Sequence, residues 1–123
     1  MQVKLYVASR FRNKEWIRSW IADLPKRYKV VSTWHNLEDA DDGSRVEAAK
    51  RDLREIDDCD AVVVITYQCE VVPGGMHFEA GYAYAKGKKI YLIGNPVNIF
   101  YDLVAEQPGY GFYVSAPEDA ANG

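Results

Sequence analysis

The 123-residue chain carries 15 Lys and Arg against 18 Asp and Glu, a net charge of −3, and 48% of its residues are hydrophobic. A chain of this size makes one domain that buries about two-thirds of its unfolded surface, and the composition excludes disorder, collagen-like repeats and low-complexity sequence. The acidic balance argues against a nucleic-acid polymer as partner and the apolar runs are too short for a membrane helix. Lys4, Ser9, Arg10 and Arg12 interrupt any signal-peptide core, so a soluble, cytoplasmic protein with small-molecule partners is expected. Cys59 and Cys69 have neither disulfide-scaffold nor metal-ligand spacing and read as buried thiols, with no cofactor and no metal implied.

Residues 2–8 (QVKLYVA) alternate Val3, Leu5 and Val7 with Gln2, Lys4 and Tyr6, the pattern of an edge or half-buried strand. Asn13 stands where an N-cap belongs, before the apolar stripe Trp16, Ile17, Trp20, Ile21 and Leu24, and Pro25 ends that helix. Residues 28–34 (YKVVSTW) read as a second strand and 35–43 as a polar, acidic loop. Ser44 or Asp42 caps a second helix with core face Val46, Ala49, Leu53 and Ile56. Residues 60–66 (DAVVVIT) form a continuous apolar run, the mark of a central strand covered on both faces. A loop over 67–75 leads to a helix from about residue 76 to 86 with Phe78, Tyr82 and Ala85 on one face, stopped by Gly87. Residues 89–93 make a fourth strand, 99–105 a short helix and 111–114 a weak fifth strand. The domain spans 1–116, and 117–123 is a polar tail.

Strands alternating with helices imply an α/β fold of the flavodoxin-like or Rossmann-like kind. The expectation is a doubly wound, parallel, five-stranded sheet in the order 2-1-3-4-5, within three α/β/α layers. Ligands of such sheets bind beyond the carboxyl ends of the strands at the switch point, here between strands one and three. That rim holds residues 8–13, 34–43, 66–79 and 94–98.

Within it, Gly74 and Gly75 permit close backbone approach to a ligand ahead of a helix start, and Glu79 reads as a first-turn acid favoured as the anion by the helix dipole. Such a residue is either a solvated helix acid or a nucleophile. Asp52 lies eight residues before Asp60 on a helix that runs back past the central strand, so it points toward the upper half of that strand. It is either a solvated acid beside Arg51 and Arg54 or a partner of Glu79, whereas Asp60 starts its strand at the opposite end. Tyr6, on the side of its strand away from Leu5 and Val7, is a core tyrosine or a site residue. Ser9, Arg10, Phe11, Arg12 and Asn13 form the first strand-to-helix turn, which suits an anion such as a phosphate. The acidic loop Glu38, Asp39, Asp41 and Asp42 lacks the spacing of a calcium loop and reads as a solvated turn. Trp34, Phe11 and Tyr67 either close the core or stack on a base.

The DAVVVI strand, the glycine-containing loop and then HFEAGYAYAKGKKI over 77–90, with YVASR over 6–10, resemble the nucleoside 2-deoxyribosyltransferase family, including its deoxynucleoside 5′-monophosphate N-glycosidase branch. The resemblance covers most of residues 3–93. It implies an enzyme in which Glu79 attacks the anomeric carbon to form a glycosyl ester, Tyr6 positions that carboxylate and Asp52 serves the sugar and leaving group. A base or water then takes the sugar. It further implies a nucleoside or nucleotide substrate bound by Ser9, Arg10, Phe11, Arg12, Thr66, Gly74, Gly75 and His77, and a homo-oligomer. With no length to spare for a lid, closure of the site by loops or a neighbouring subunit is expected. Pro73 stands where the transferases carry acidic residues and the monophosphate hydrolases a serine. Glu70, Gln68, Cys69 or His77 are the candidates to replace them, and transfer or hydrolysis, nucleoside or nucleotide, stay open. A nucleotide sensor that uses Glu79 only to hold a ribose hydroxyl is the alternative from another class, and a nicotinamide-nucleotide hydrolase a third reading.

Overall fold

The computed structural model describes residues 2–37, 44–66, 74–95, 97–104, 106 and, for the backbone, 111–113. In chain order these form β1 (Val3–Ala8), α1 (Lys14–Ala22), β2 (Tyr28–Val30), α2 (Arg45–Asp58), β3 (Ala61–Ile65), α3 (Gly74–Ala85), β4 (Lys89–Ile93), α4 (Ile99–Val104) and β5 (Gly111–Tyr113), with single 3-10 turns at Phe11–Asn13 and Trp34–Asn36. The strands run parallel in the order β2-β1-β3-β4-β5. The chain steps outward from β1 to β2 and returns on the other side at β3, which leaves the crevice between β1 and β3 at the carboxyl edge.

β3 is buried along its whole length, as a continuous run of β-branched residues requires when both faces are covered. β1 is no edge strand: Leu5, Tyr6, Val7 and Ala8 are all buried, because β2 and β3 flank it. β2 is shorter than its apolar run suggests. Its ladder with β1 ends at Leu5 and Val30, and side chains then take over the exposed side of Val7. Ser32 Oγ accepts from Val7 N at 3.1 Å, and Trp34 Nε1 donates to Val7 O at 2.7 Å. The bonds that a longer β2 would supply are made by a hydroxyl and an indole, which releases the chain into the Trp34–Asn36 turn.

The helices differ in which face they bury. In α1 Ile17 is buried while Trp16, Trp20 and Ile21 lean on the core, as the stripe predicts; Asn13 precedes the helix, but its side chain does not cap it. Ser44 does cap α2, accepting from Glu47 N at 3.3 Å. Only the last part of the expected α2 core face is covered. Ile56 is buried and Leu53 partly so, while Val46 and Ala49 are exposed. In α3 the buried residues are Met76, Ala80 and Ala83, and Phe78, expected on the covered face, is 68% exposed. Small residues at 80 and 83 let α3 approach the sheet closely, and it packs on α2, β1, β3 and β4. Cys59 is a buried thiol that burial pushes up to about 11, which makes it unreactive. Cys69, the acidic residues 38–42 and the tail from 117 lie outside the described residues.

Replacing Trp34 with Phe keeps the ring but leaves Val7 O buried without its donor. The expected loss is about 1–3 kcal/mol of unfolding free energy at an unchanged m-value in urea. An unchanged midpoint would show that the indole bond does not hold the end of β1.

Candidate active site

The carboxyl of Glu79 sits where α3 crosses β1. Alternation along β1 turns Tyr6 toward α3, and Tyr6 Oη donates to Glu79 Oε2 at 2.5 Å. α2 packs against α3 and brings Asp52 to the same place, as both a hydrogen-bonding and a like-charged neighbour of Glu79, with Glu55 one turn further on. Arg51 Nη2 lies 3.2 Å from Asp52 Oδ1. Of the three residues expected to act together, Tyr6 and Glu79 are thus in contact and Asp52 is their electrostatic neighbour, drawn from three elements separated widely in sequence.

The electrostatics differ from the expected helix-dipole picture. α3 begins at Gly74, so Glu79 is in its second turn and gains little from the free amides at the helix start. Burial pushes its carboxyl up to about 7; the Tyr6 hydrogen bond favours the anion but is the smaller effect, and the Asp52 and Glu55 charges add to burial. Asp52 is also raised by burial, with the hydrogen bond and charge of Arg51 acting against it. The hydrogen bond between the two carboxyls favours the proton on Glu79 and the charge on Asp52. Tyr6 is held far above the usual tyrosine range by burial and by Glu79, so it stays a neutral donor.

The expected binding residues fall into three groups. Ser9 and Thr66 end β1 and β3 and are tied to backbone: Ser9 Oγ donates to Ile65 O at 2.7 Å, and Thr66 Oγ1 donates to Asn95 O at 2.9 Å. Arg10, Phe11 and Arg12 lie on the first turn beyond β1. Phe11 packs on Trp34 with ring centroids 6.3 Å apart, while neither arginine forms a salt bridge among the described residues. Gly74 and Gly75 are exposed at the start of α3, where an added Cβ would meet nothing within 4 Å. His77 is not brought to the carboxyls. Two residues from Glu79 it projects from another side of α3, and its Nδ1 pairs with Tyr101 Oη of α4 at 2.7 Å in a cleft of about 120 Å³ lined also by Tyr84, Phe100 and Leu103. Tyr67, Gln68, Cys69, Glu70 and Pro73 lie outside the described residues. Asp60 is at the amino end of β3, accepting from Lys4 N at 2.8 Å, away from the site.

Two participants are not singled out by the sequence. Glu55 follows Asp52 by three residues and therefore shares its helix face, a spacing that signals the second acid. Arg51 precedes Asp52 directly, and nothing in an i,i+1 spacing announces a contact. Among the described residues no group of three His, Cys, Asp or Glu side chains is arranged to hold a metal ion, and no helix is long and apolar enough to cross a membrane.

A parallel α/β sheet whose first strand bonds a largely buried acid through a tyrosine, with a second acid beside it, has the perturbed carboxyl that marks a candidate active site. The family model for nucleoside 2-deoxyribosyltransferase matches residues 6–112, and the chain belongs to that family. Its fold is shared by the CMP N-glycosidase of Clostridium botulinum, with a TM-score of 0.70 at 21% identity over 94% of this chain and 91% of that one. It is shared equally by a 2-deoxyribosyltransferase of Bacillus psychrosaccharolyticus, with a TM-score of 0.67 at 24% identity over 98% and 92%. A conserved protein from Enterococcus faecalis V583 aligns with a TM-score of 0.73 at 17% identity over 99% and 96%. No curated protein matches the chain by sequence.

Because the Glu79 carboxyl is raised above its unfolded value, it adds stability that is full below about pH 4.5 and is lost as pH rises through about 7. Glu79→Gln removes this titration. Relative to the native chain it should gain up to about 3 kcal/mol at pH 8 and little at pH 5, measured by urea unfolding at both values. An equal effect at both pH values would refute the buried-acid description.

Proposed function

We propose that the protein cleaves the N-glycosidic bond of a nucleoside, deoxynucleoside or nucleoside 5′-monophosphate through a covalent glycosyl-Glu79 intermediate, passing the sugar to another base or to water. The observation that carries this reading is the Tyr6–Glu79–Asp52 constellation in a member of the nucleoside 2-deoxyribosyltransferase family. Cleavage at C1′ passes through an oxocarbenium-like state, so an anionic oxygen beneath that carbon stabilises the developing charge and then captures it. The Tyr6 hydrogen bond to Oε2 leaves Oε1 for the attack, and the partly buried setting strengthens the charge interaction with the sugar. A carboxyl kept near neutrality is ionised often enough to attack, and its carboxylate is still a weak enough base to leave in the second step. Asp52 is assigned to the sugar hydroxyls or to the proton that the departing base needs. A domain that only bound a nucleotide would gain nothing from holding an acid in this state.

The space beside Gly74 and Gly75, and Arg10 and Arg12, which form no salt bridge among the described residues, are assigned to the base and to a 5′-phosphate respectively. His77 is left out of the substrate set because its ring is engaged with Tyr101. The domain is taken as a cytoplasmic, three-layer unit over 1–116 that works without a cofactor. It assembles as a homo-oligomer through the apolar residues that α3 and α4 expose, Phe78, Ile99, Phe100 and Leu103.

Incubation with each nucleoside and monophosphate, with and without an acceptor base, should release free base by chromatography. Glu79→Ala should lower that rate by roughly a thousandfold or more, and a 2-fluoro sugar analogue should leave its mass on the Glu79 peptide. Release that survives Glu79→Ala would exclude the nucleophile. The kcat/KM profile should rise through about pH 7 with ionisation of Glu79, and Tyr6→Phe, which withdraws a donor from the anion, should move that limb about one pH unit higher. Phe100→Glu should lower the mass seen by light scattering; an unchanged mass would place the assembly surface elsewhere.

A further inference from the structure

Beside the acid pair lies a guanidinium that the proposed reaction leaves unused. The Arg51 and Asp52 side chains are 29% and 21% exposed, whereas in the pairs Lys4–Asp58, Arg18–Glu15, Lys50–Glu47 and Lys86–Asp57 both partners are at least 35% exposed. Consecutive helical residues diverge by about 100°, so Arg51 has to curl around α2 to reach its neighbour. Doing so buries its Nε with no hydrogen-bond partner among the described residues, which is costly for a polar group. The usual helical partner, Glu55 at i+4, is committed instead to Thr33, accepting from its N at 3.1 Å and its Oγ1 at 2.7 Å. An arginine serving only as a solvated surface charge would not incur that cost. The groups facing Glu79 are Tyr6 from β1 and Asp52 and Glu55 from α2; the cation facing them is Arg51, through Asp52.

We propose that Arg51 is a positioning residue: its guanidinium, held against Asp52 Oδ1 at 3.2 Å, keeps Asp52 as the anion of the Asp52–Glu79 pair and thereby assigns the pair's shared proton to Glu79. The consequence for catalysis rests on Glu79 being the nucleophile. Arg51 then sets how readily that oxygen is freed, and fixes Asp52 in the geometry from which it meets the sugar or the leaving base. Its role is exercised through Asp52 and requires no contact with substrate.

Carboxyl carbon-13 titrations of Glu79 and Asp52 in the substrate-free full chain test this directly. In the native chain the step near pH 7 should appear on Glu79 while Asp52 is ionised throughout it. Arg51→Gln should move the pair's upper step about one pH unit higher and transfer part of it to the Asp52 carbon. Arg51→Lys, which keeps the charge, should shift it less than half as far. A step that stays in place on Glu79 alone in Arg51→Gln overturns the proposal, as does an equal shift in both variants. Should Arg51→Gln fail to fold, Asp52→Asn provides the second measurement: the Glu79 midpoint should fall by about one unit once the neighbouring anion is gone, and no fall overturns the proposal. Base release by the native chain is assayed in parallel. Its absence would sink the enzymatic reading while leaving the titration result standing.

Discussion

The hydrogen bond from Tyr6 to Glu79 is the contact on which the rest of the site depends, because it joins the middle of the sheet to the helix that crosses it. For it to form, β1 has to be an interior strand with Tyr6 on the α3 side, and α3 has to lie close to the sheet. Ala80 and Ala83 permit that approach where larger side chains would hold the helix away. The same closeness takes the Glu79 carboxyl largely out of water, so that the phenol becomes the main donor available to its anion. A carboxylate in bulk solvent would neither need that donor nor respond to it.

Burial alone would make Glu79 a passive acid, and the arrangement around it decides otherwise. α2 brings two further carboxyls to the same region, which opposes a full charge on Glu79. Each of them is answered in turn, Asp52 by Arg51 and Glu55 by the backbone and hydroxyl of Thr33. The result is an arrangement in which each outer acid has a polar partner of its own and the inner one is poised near neutrality. Like charges gathered in a partly buried place reduce stability, the usual trade between folding and a reactive group. The sheet beneath has to be sturdy enough to bear it.

Much of this was readable in the sequence, where periodicity carries the information. The uninterrupted run at 61–65 announced a doubly covered strand, alternation placed Tyr6 opposite Leu5 and Val7, and counting back from Asp60 along a helix brought Asp52 to the right height. What was not readable depended on distances between elements. Two glycines ahead of Met76 read as loop but begin α3, which moves Glu79 from the first turn to the second and exchanges dipole stabilisation for burial. Val46 and Ala49 fit an apolar face, yet α2 extends beyond the part that α3 and the sheet cover, so the pattern overstates the core. Phe78 shows the same limit on α3. In the sequence Arg51 reads only as a solvated companion of Asp52, because a neighbour in sequence is a poor neighbour on a helix; Glu55, its usual i+4 partner, is taken up by Thr33, and Arg51 pairs with Asp52 instead.

The rim of the sheet shows a related division of labour. Ser9, Ser32, Trp34 and Thr66 are polar residues at strand ends, and each spends a hydrogen bond on backbone of β1 or of the segments beside it. Such bonds replace ladder contacts that the strands no longer make, and they fix the crevice floor from which Tyr6 projects. Arg10 and Arg12, one turn further along the chain, have no such duty among the described residues. Rigidity is thus concentrated around the Glu79 carboxyl, and arginine charge that no described residue pairs lies beyond it. Under the proposed reaction, an oxygen that attacks one carbon of a sugar draws on the first property. An arginine that receives a phosphate from water would draw on the second.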